Sequence, residues 1–473
     1  MKNKFAAFIL LLSTVFALVS CLNADNDYTY TDDSAITSFS ISSGKQYVHV
    51  ISSTGGDSIV TNELTLSGYK FYIDQVNCVI YNPDSLPCGT DAKKLLCSVS
   101  AKNSGTVLIK SMTSDSLAYV STTDSTDFSA DRQLQVYSNS GQGVRKYTVK
   151  VNVHKEFPDS FAWHSVPECE TMKRFTAVKA VAVSGGILLF GTDGNNTLVM
   201  RGGDNGWTVC APNFNHVLAA DAYRGVVTKD GRAYISDAGN IICTADGDLW
   251  DQTGTATGIT RLVAASRFCI YGYAADGRLM ASSDDGKTWN ASDIDDAQTL
   301  LPTGETAYTA YPIPTNDFTD RVLLIGMRDR SLYPADNTLT VWGRIDEGAE
   351  GSESQPWAYY NVAEENKHKA PVLSSISALI YDGAVIVFGA KDGEAPTVYK
   401  TLDNGITWNA DTTKLIMPNN FSEGLEVAAQ RQVCALAVDK NNVLWLVNAL
   451  NGKTWRGRIN RLGWSTEQTE FDR

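Results

Sequence analysis

Ser282-Ser283-Asp284-Asp285-Gly286-Lys287-Thr288-Trp289 and Thr401-Leu402-Asp403-Asn404-Gly405-Ile406-Thr407-Trp408 are the two stretches whose reading decides the fold. Both follow the pattern Ser/Thr-x-Asp-x-Gly-x-Thr-Trp. The hydroxyl of Ser282 or Thr401 and the carboxylate of Asp284 or Asp403 are spaced to bond the backbone of one tight turn, which Gly286 or Gly405 lets bend. Trp289 and Trp408 close each word with a large apolar surface suited to packing between sheets. These eight residues are therefore expected to staple the fold and to take no part in chemistry. Two such words in one chain indicate repeated hairpins, hence a repeat architecture.

Degenerate copies precede them. Residues 202–209 keep Asp204, Gly206 and Thr208 but carry Val209 in the Trp position, and residues 243–250 keep Gly247 and Trp250. The closing positions 209, 250 and 289 are spaced by 41 and 39 residues, close to the length of a four-stranded propeller blade. Trp357 and Trp408 continue the series at 68 and 51. Short apolar runs come in threes before the words: 375–381, 384–388 and 397–401, and again 262–265, 269–273 and 278–281. The last group (433–438, 443–447, 455–459) has no chain left for a fourth strand, so Phe161–Val166 is expected to supply it and close the ring, with Trp163 in the Trp position. That gives six blades over residues 160–467, or seven if the long stretch 291–366 holds an extra one. The octapeptides resemble the Asp-box (BNR) hairpin of sialidase-like β-propellers, which implies the propeller fold and a structural role for each box.

Residues 35–155 alternate apolar and polar over short runs such as 36–41, 69–73, 106–109 and 147–153, separated by Ser, Thr, Asp and Gly. This is the period of a half-buried strand, and an all-β sandwich follows. Ile73-Asp74, Leu86-Pro87-Cys88-Gly89-Thr90-Asp91 and Arg145-Lys146-Tyr147-Thr148-Val149-Lys150-Val151 resemble the immunoglobulin- or cadherin-like modules found near the anchor of Bacteroidetes-type lipoproteins, which act as spacers. Phe157-Pro158-Asp159 is a natural joint.

The first residues give an address. Lys2 and Lys4 precede an apolar run of 15 residues, Phe5 to Val19, too short to span a bilayer and suited to a signal peptide over 1–20. Leu18-Val19-Ser20-Cys21 resembles a bacterial lipobox, which implies diacylation of Cys21 and a membrane partner reached through the lipid. Residues 21–34 read as an acidic tether, similar to the leader of surface lipoproteins of the Bacteroidetes type. The expected location is the cell envelope, as an outer-membrane lipoprotein.

Composition narrows the function. The 473 residues carry 40 Lys+Arg against 53 Asp+Glu, a net charge of −13, so nucleic acid is not an expected partner. The five His are scattered, and neither a metal site nor a cofactor is expected. No phosphate-cradling loop, G-x-S-x-G elbow or H-E-x-x-H pair occurs. Sialidases combine an Arg triad, a Tyr–Glu pair and an Asp acid–base, with an F/Y-R-I-P word that this chain lacks. Arg224, Arg261, Arg321 and Arg328 could be gathered into a cluster, but scattered surface arginines are the simpler reading, and no catalytic residue is assigned. Cys243, Cys269 and Cys434 read as small buried thiols; a bridge within Cys78, Cys88 and Cys97 stays open. The densest aromatic segment runs from Tyr308 to Tyr360, and Tyr311, Tyr333, Trp342, Trp357 and Tyr359 are its candidate binding side chains. The expected function is a non-catalytic envelope protein that binds a glycan or a protein partner. An exo-glycosidase and an assembly scaffold are the alternatives.

Overall fold

The computed structural model describes residues 30–463, apart from 52–56, 349–354, 363–364, 392–393, 412–413, 424 and 426–431. Cys21, the signal peptide and most of the tether lie outside the described residues. The chain is all-β, 50% strand against 5% helix. Its described residues divide into two compact units, one ending at Phe157 and the other beginning at Pro158.

In the first unit, Asp57–Thr65, Ile36–Ile51 and Leu96–Ala101 form one sheet. A second runs Tyr72–Asp74, Val79–Tyr81, Val144–Lys150, Arg132–Tyr137, Thr106–Lys110 and Leu117–Tyr119. Every pairing is antiparallel except that of Val79–Tyr81 with Val144–Lys150. Arg132–Tyr137 buries every second residue, as a strand with one covered face must. Phe39, Ile41 and Cys97 from the first sheet and Ile80, Leu134 and Val149 from the second share one apolar core. The run expected at 69–73 starts later, at Tyr72, because the Tyr69 amide donates to the Leu66 carbonyl in a turn through Ser67 and Gly68.

The second unit is a β-propeller domain, and its described residues form six antiparallel sheets. Their first strands are Ala177–Val183, Val227–Lys229, Ile259–Ala265, Thr306–Ile313, Ser374–Tyr381 and Cys434–Val438. We number the sheets 1 to 6 in that order. Each first strand lies beside those of the sheets before and after it, and the sixth returns to the first. Sheet 6 takes its fourth strand from the front of the repeat: Phe161 pairs with Ile459, and so on to Val166 with Thr454. The Trp163 indole donates to the Ile416 carbonyl at 2.8 Å and packs against the core between sheets 5 and 6. Second strands are covered on both faces, so they lose alternation. All of Ala384–Ala390 is buried, and in sequence it reads as a continuous apolar run. The long stretch 291–366 is taken up by extended strands of sheet 4, among them the 11-residue Asn316–Gly326, and by the connection 327–339. No seventh sheet occurs among the described residues.

Candidate functional site

Strand register defines two ends of the propeller. In sheet 1, Ala177 faces Thr192 and Val183 faces Gly186. The starts of the first strands therefore lie at one end, with the turns from second to third strand. We call this the mouth end. The turns from first to second and from third to fourth strand lie at the other, the box end.

Both octapeptides sit at the box end with matching geometry. The Gly286 amide donates to Ser282 Oγ at 2.8 Å and the Gly405 amide to Thr401 Oγ1 at 3.0 Å. Asp284 Oδ1 accepts the Thr288 amide and Asp403 Oδ1 the Thr407 amide, at 2.9 and 2.8 Å. Asp285 and Asn404 hold φ of 59° and 61°, and Gly286 and Gly405 hold 88° and 100°. Asp and Asn tolerate that region better than other side chains do. A Cβ on Gly286 would meet Ile241 Cγ1 at 2.6 Å.

Each box is also latched to the sheet before it. Lys229, at the end of the first strand of sheet 2, donates to Asp285 Oδ1 at 2.8 Å; Tyr311, on the first strand of sheet 4, donates to Asn404 Oδ1 at 2.5 Å. The tryptophans differ. Trp408 is buried and its indole bonds the Gly405 carbonyl of its own box, whereas Trp289 is only partly buried and reaches the Thr255 carbonyl of sheet 2.

The degenerate copies need correction. At 243–250 the Ser/Thr position is filled by Thr244, not Cys243. Thr244 Oγ1 accepts the Gly247 amide, Asp246 Oδ1 accepts the Leu249 amide, and the Trp250 indole bonds the Gly247 carbonyl. This is a box one residue shorter, which the fixed spacing hid. At 202–209 there is no side-chain box. Gly203 pairs with Gly206 across a two-residue turn, and the exposed Asp204 carboxylate bonds Arg456 of sheet 6. Val209 is exposed, and Trp207 does the packing instead, edge-on to Trp445 at 5.7 Å.

The five aromatic candidates do not form one surface. Trp342 and Trp357 are 0% exposed and belong to the core between sheets 3 and 4; facing a neighbouring sheet, they cannot meet a ligand. Tyr359 lies against Trp342 at 5.3 Å. Tyr311 is the latch just described, at the box end. Tyr333 stands at the mouth end, with the Arg328 guanidinium 3.9 Å over its ring and its hydroxyl 3.0 Å from Thr299 Oγ1.

All eight described cysteines are free thiols, so no bridge joins Cys78, Cys88 and Cys97. Cys243 and Cys434 are buried, and Cys269 is partly so. No group of three or more His, Cys, Asp or Glu able to hold a metal occurs among the described residues. No described helix is long and apolar enough to cross a membrane.

The convergence that sequence did not reveal lies on the axis. A cavity of about 180 Å³ is lined by first strands of five sheets, with Lys179, Tyr308 and Thr309 among its polar side chains. Tyr308 accepts the Thr228 amide at 2.6 Å and so reaches from sheet 4 to sheet 2. At the mouth end, Arg261 donates to the carbonyls of Gly304 and Thr303, each at 3.2 Å, and Arg224 donates to Gly304 at 3.3 Å. Glu305 Oε1 lies 3.3 Å from Arg224 Nε. The Lys179 ammonium donates to the Arg224 carbonyl at 3.4 Å. Burial first, and then Arg261, push the Lys179 amine down to about 8 against the opposing pull of Glu305. Burial and the Glu305 carboxylate push the Tyr223 phenol up to about 12. Arg224 and Arg261 thus converge, while Arg321 reaches Tyr360 at 3.4 Å and Arg328 pairs with Asp336. The available signal was a charged residue at the third position of two apolar first strands, Lys179 and Arg261.

A family model described as the DUF6242 beta propeller domain matches residues 157–467, and that of the DUF6242 N-terminal domain matches 39–151. No curated protein matches the chain. Among solved structures, a structural genomics protein of unknown function from Bacteroides thetaiotaomicron is 12% identical with a TM-score of 0.40, covering 76% of this chain and 94% of that one. The SapL1 lectin in complex with alpha methyl fucoside is 13% identical with a TM-score of 0.36, over 59% and 90%. A Trichoderma reesei member of Carbohydrate-Active Enzymes Family AA12 is 13% identical with a TM-score of 0.37, over 64% and 96%.

Proposed function

The chain belongs to the DUF6242 family, and we propose that it is a lipid-anchored, non-catalytic envelope protein whose six-bladed propeller holds a glycan or a protein partner at the mouth end. The observation that carries this reading is the axial cavity lined by Lys179, whose ammonium donates to the Arg224 carbonyl and feels the charges of Arg224, Arg261 and Glu305 at the mouth end. Polar groups converging on one concave place are the usual mark of a ligand site. Within the same proposal, the two-sheet N-terminal unit is an immunoglobulin- or cadherin-like spacer, the octapeptides are Asp-boxes, and Cys21 carries the lipid that holds the protein on the outer membrane. Both anchor and spacer rest on the sequence words quoted above.

The test pairs a glycan array with fluorogenic glycosides, using the full chain and its Arg261→Gln variant, with melting temperature as the control for folding. We expect retention of a glycan or an envelope partner, weakened at least tenfold in the variant, and no turnover. A second reading, an exo-glycosidase, is favoured by one observation: Tyr223 stands in the field of Glu305, Arg224 and Arg261. Against it, that phenol is held protonated. Hydrolysis of any glycoside, lost in Glu305→Gln, would establish the second reading. Anchoring is tested separately: Cys21→Ser should appear in the soluble fraction after a carbonate wash, and membrane-bound variant would refute it.

A further inference from the structure

We propose that the axial site is an anion site, one that takes the carboxylate or sulfate of an acidic sugar, with Lys179 as its principal contact. The inference rests on the reading of the mouth as a ligand site and adds the chemical class. Lys179 lines the cavity, Arg224 and Arg261 act on its charge from the mouth end, and Glu305 is the carboxylate found to act on it among the described residues. The local balance is positive in a chain whose net charge is −13. Cations crowded into a concave place lower one another's affinity for protons and gain most from an added negative charge.

Two further observations point the same way. Thr309 lines the cavity, is 4% exposed, and its hydroxyl has no hydrogen-bond partner. A buried donor of this kind is left unmade only at a cost, and an oxyanion in the cavity would accept from it. Among the described residues the Lys179 ammonium has a backbone carbonyl as its partner and pairs with no carboxylate. The cavity, about 180 Å³, has room for one such group carried on a single sugar.

Buffer-dependent titration calorimetry in low salt tests this with D-galacturonate, sodium sulfate and neutral D-galactose. The free amine, at about 8, is half protonated at pH 8. An anion favours the charged form, so binding at pH 8 should take up as much as about half a proton, falling towards zero at pH 6, where the amine is already charged. Lys179→Met should weaken the anion about 10- to 100-fold and abolish the uptake. Lys179→Arg, charged at both pH values, should keep binding and lose the uptake. Galacturonate and sulfate both binding supports the sugar-borne anion, and sulfate alone narrows the site to a free oxyanion. Galactose bound as tightly as galacturonate, or anion binding unchanged in a normally melting Lys179→Met, would overturn the proposal and leave the mouth as a ligand site. If none of the three binds, the anion inference is also refuted, while a glycan or partner found on the array would still uphold the broader reading.

Discussion

The two ends of the propeller treat charge in opposite ways. At the box end the central carboxylate of each octapeptide spends its lone pairs inside its own turn: Asp284 and Asp403 accept from backbone amides and hydroxyls two to four residues away. Neighbouring side chains, Lys229 and Tyr311, add latches from the preceding sheet. At the mouth end, the groups come from different sheets and remain partly unmatched. Local satisfaction repeats from hairpin to hairpin and makes a scaffold. At the axis, groups from distant segments converge on a concave place, and there a ligand has something to gain.

The largest effect expected from breaking this contrast is at the box end. Trp408→Ala removes a buried indole and should cost about 3–5 kcal/mol. Trp289→Ala, whose side chain is partly exposed, should cost about 1–3 kcal/mol by the same accounting. Urea unfolding of both variants checks the order. Equal losses would mean that the two boxes bear the same load despite their different indole partners.

At the mouth end a substitution should stabilise. The Lys179 amine sits at about 8 in the folded protein against 10.5 for an unperturbed lysine. A lysine with a depressed folded value costs stability below that value, and the cost disappears as pH rises through the unfolded one. Lys179→Met should therefore raise stability at pH 7 by up to about 3 kcal/mol, with the gain shrinking between pH 8 and about 10.5. Unfolding curves across that range are decisive: a variant less stable than the parent at pH 7 would make Lys179 a structural strut.

The sequence displayed the box end and concealed the mouth for a physical reason. A turn that satisfies itself writes its whole chemistry within eight residues, so Ser282 to Trp289 could be read directly. The ring closure by Phe161–Val166 was legible too, because a blade short of a strand at one end of a repeat matches a spare strand at the other. Lys179, Arg224, Arg261 and Glu305 span more than a hundred positions and come together only after four sheets have turned around an axis. Two of the aromatic candidates are out of a ligand's reach for a related reason. Composition marks where tryptophans are dense, yet the packing of sheet on sheet decides which way they face, and Trp342 and Trp357 face inward. The shortened box at Thr244 escaped a fixed-spacing pattern although its hydrogen bonds match those of its neighbours.

The smallest expected effect concerns the carboxylates of the boxes and their response to acid. Burial raises the Asp284 carboxyl, but bonds from Thr288, Ser282 and Lys287 together outweigh it and hold the group down at about 2. Asp403 is lowered by the same kind of partners. A carboxylate depressed in the folded state lends stability that is present above its unfolded value, near 3.8, and is lost as pH falls through the folded one. Asp284 is partly open to solvent, so its contribution is discounted to about 1 kcal/mol. Asp284→Asn keeps an acceptor for the Thr288 amide but removes the charge. It should thus cost about 1 kcal/mol at pH 7, and the difference from the parent should close between pH 4 and about pH 2. The matched Asp403→Asn variant should show the same closing. Acid unfolding followed by tryptophan fluorescence would measure both, and a difference that stays constant down to pH 2 would show that the charge itself contributes nothing to the turn.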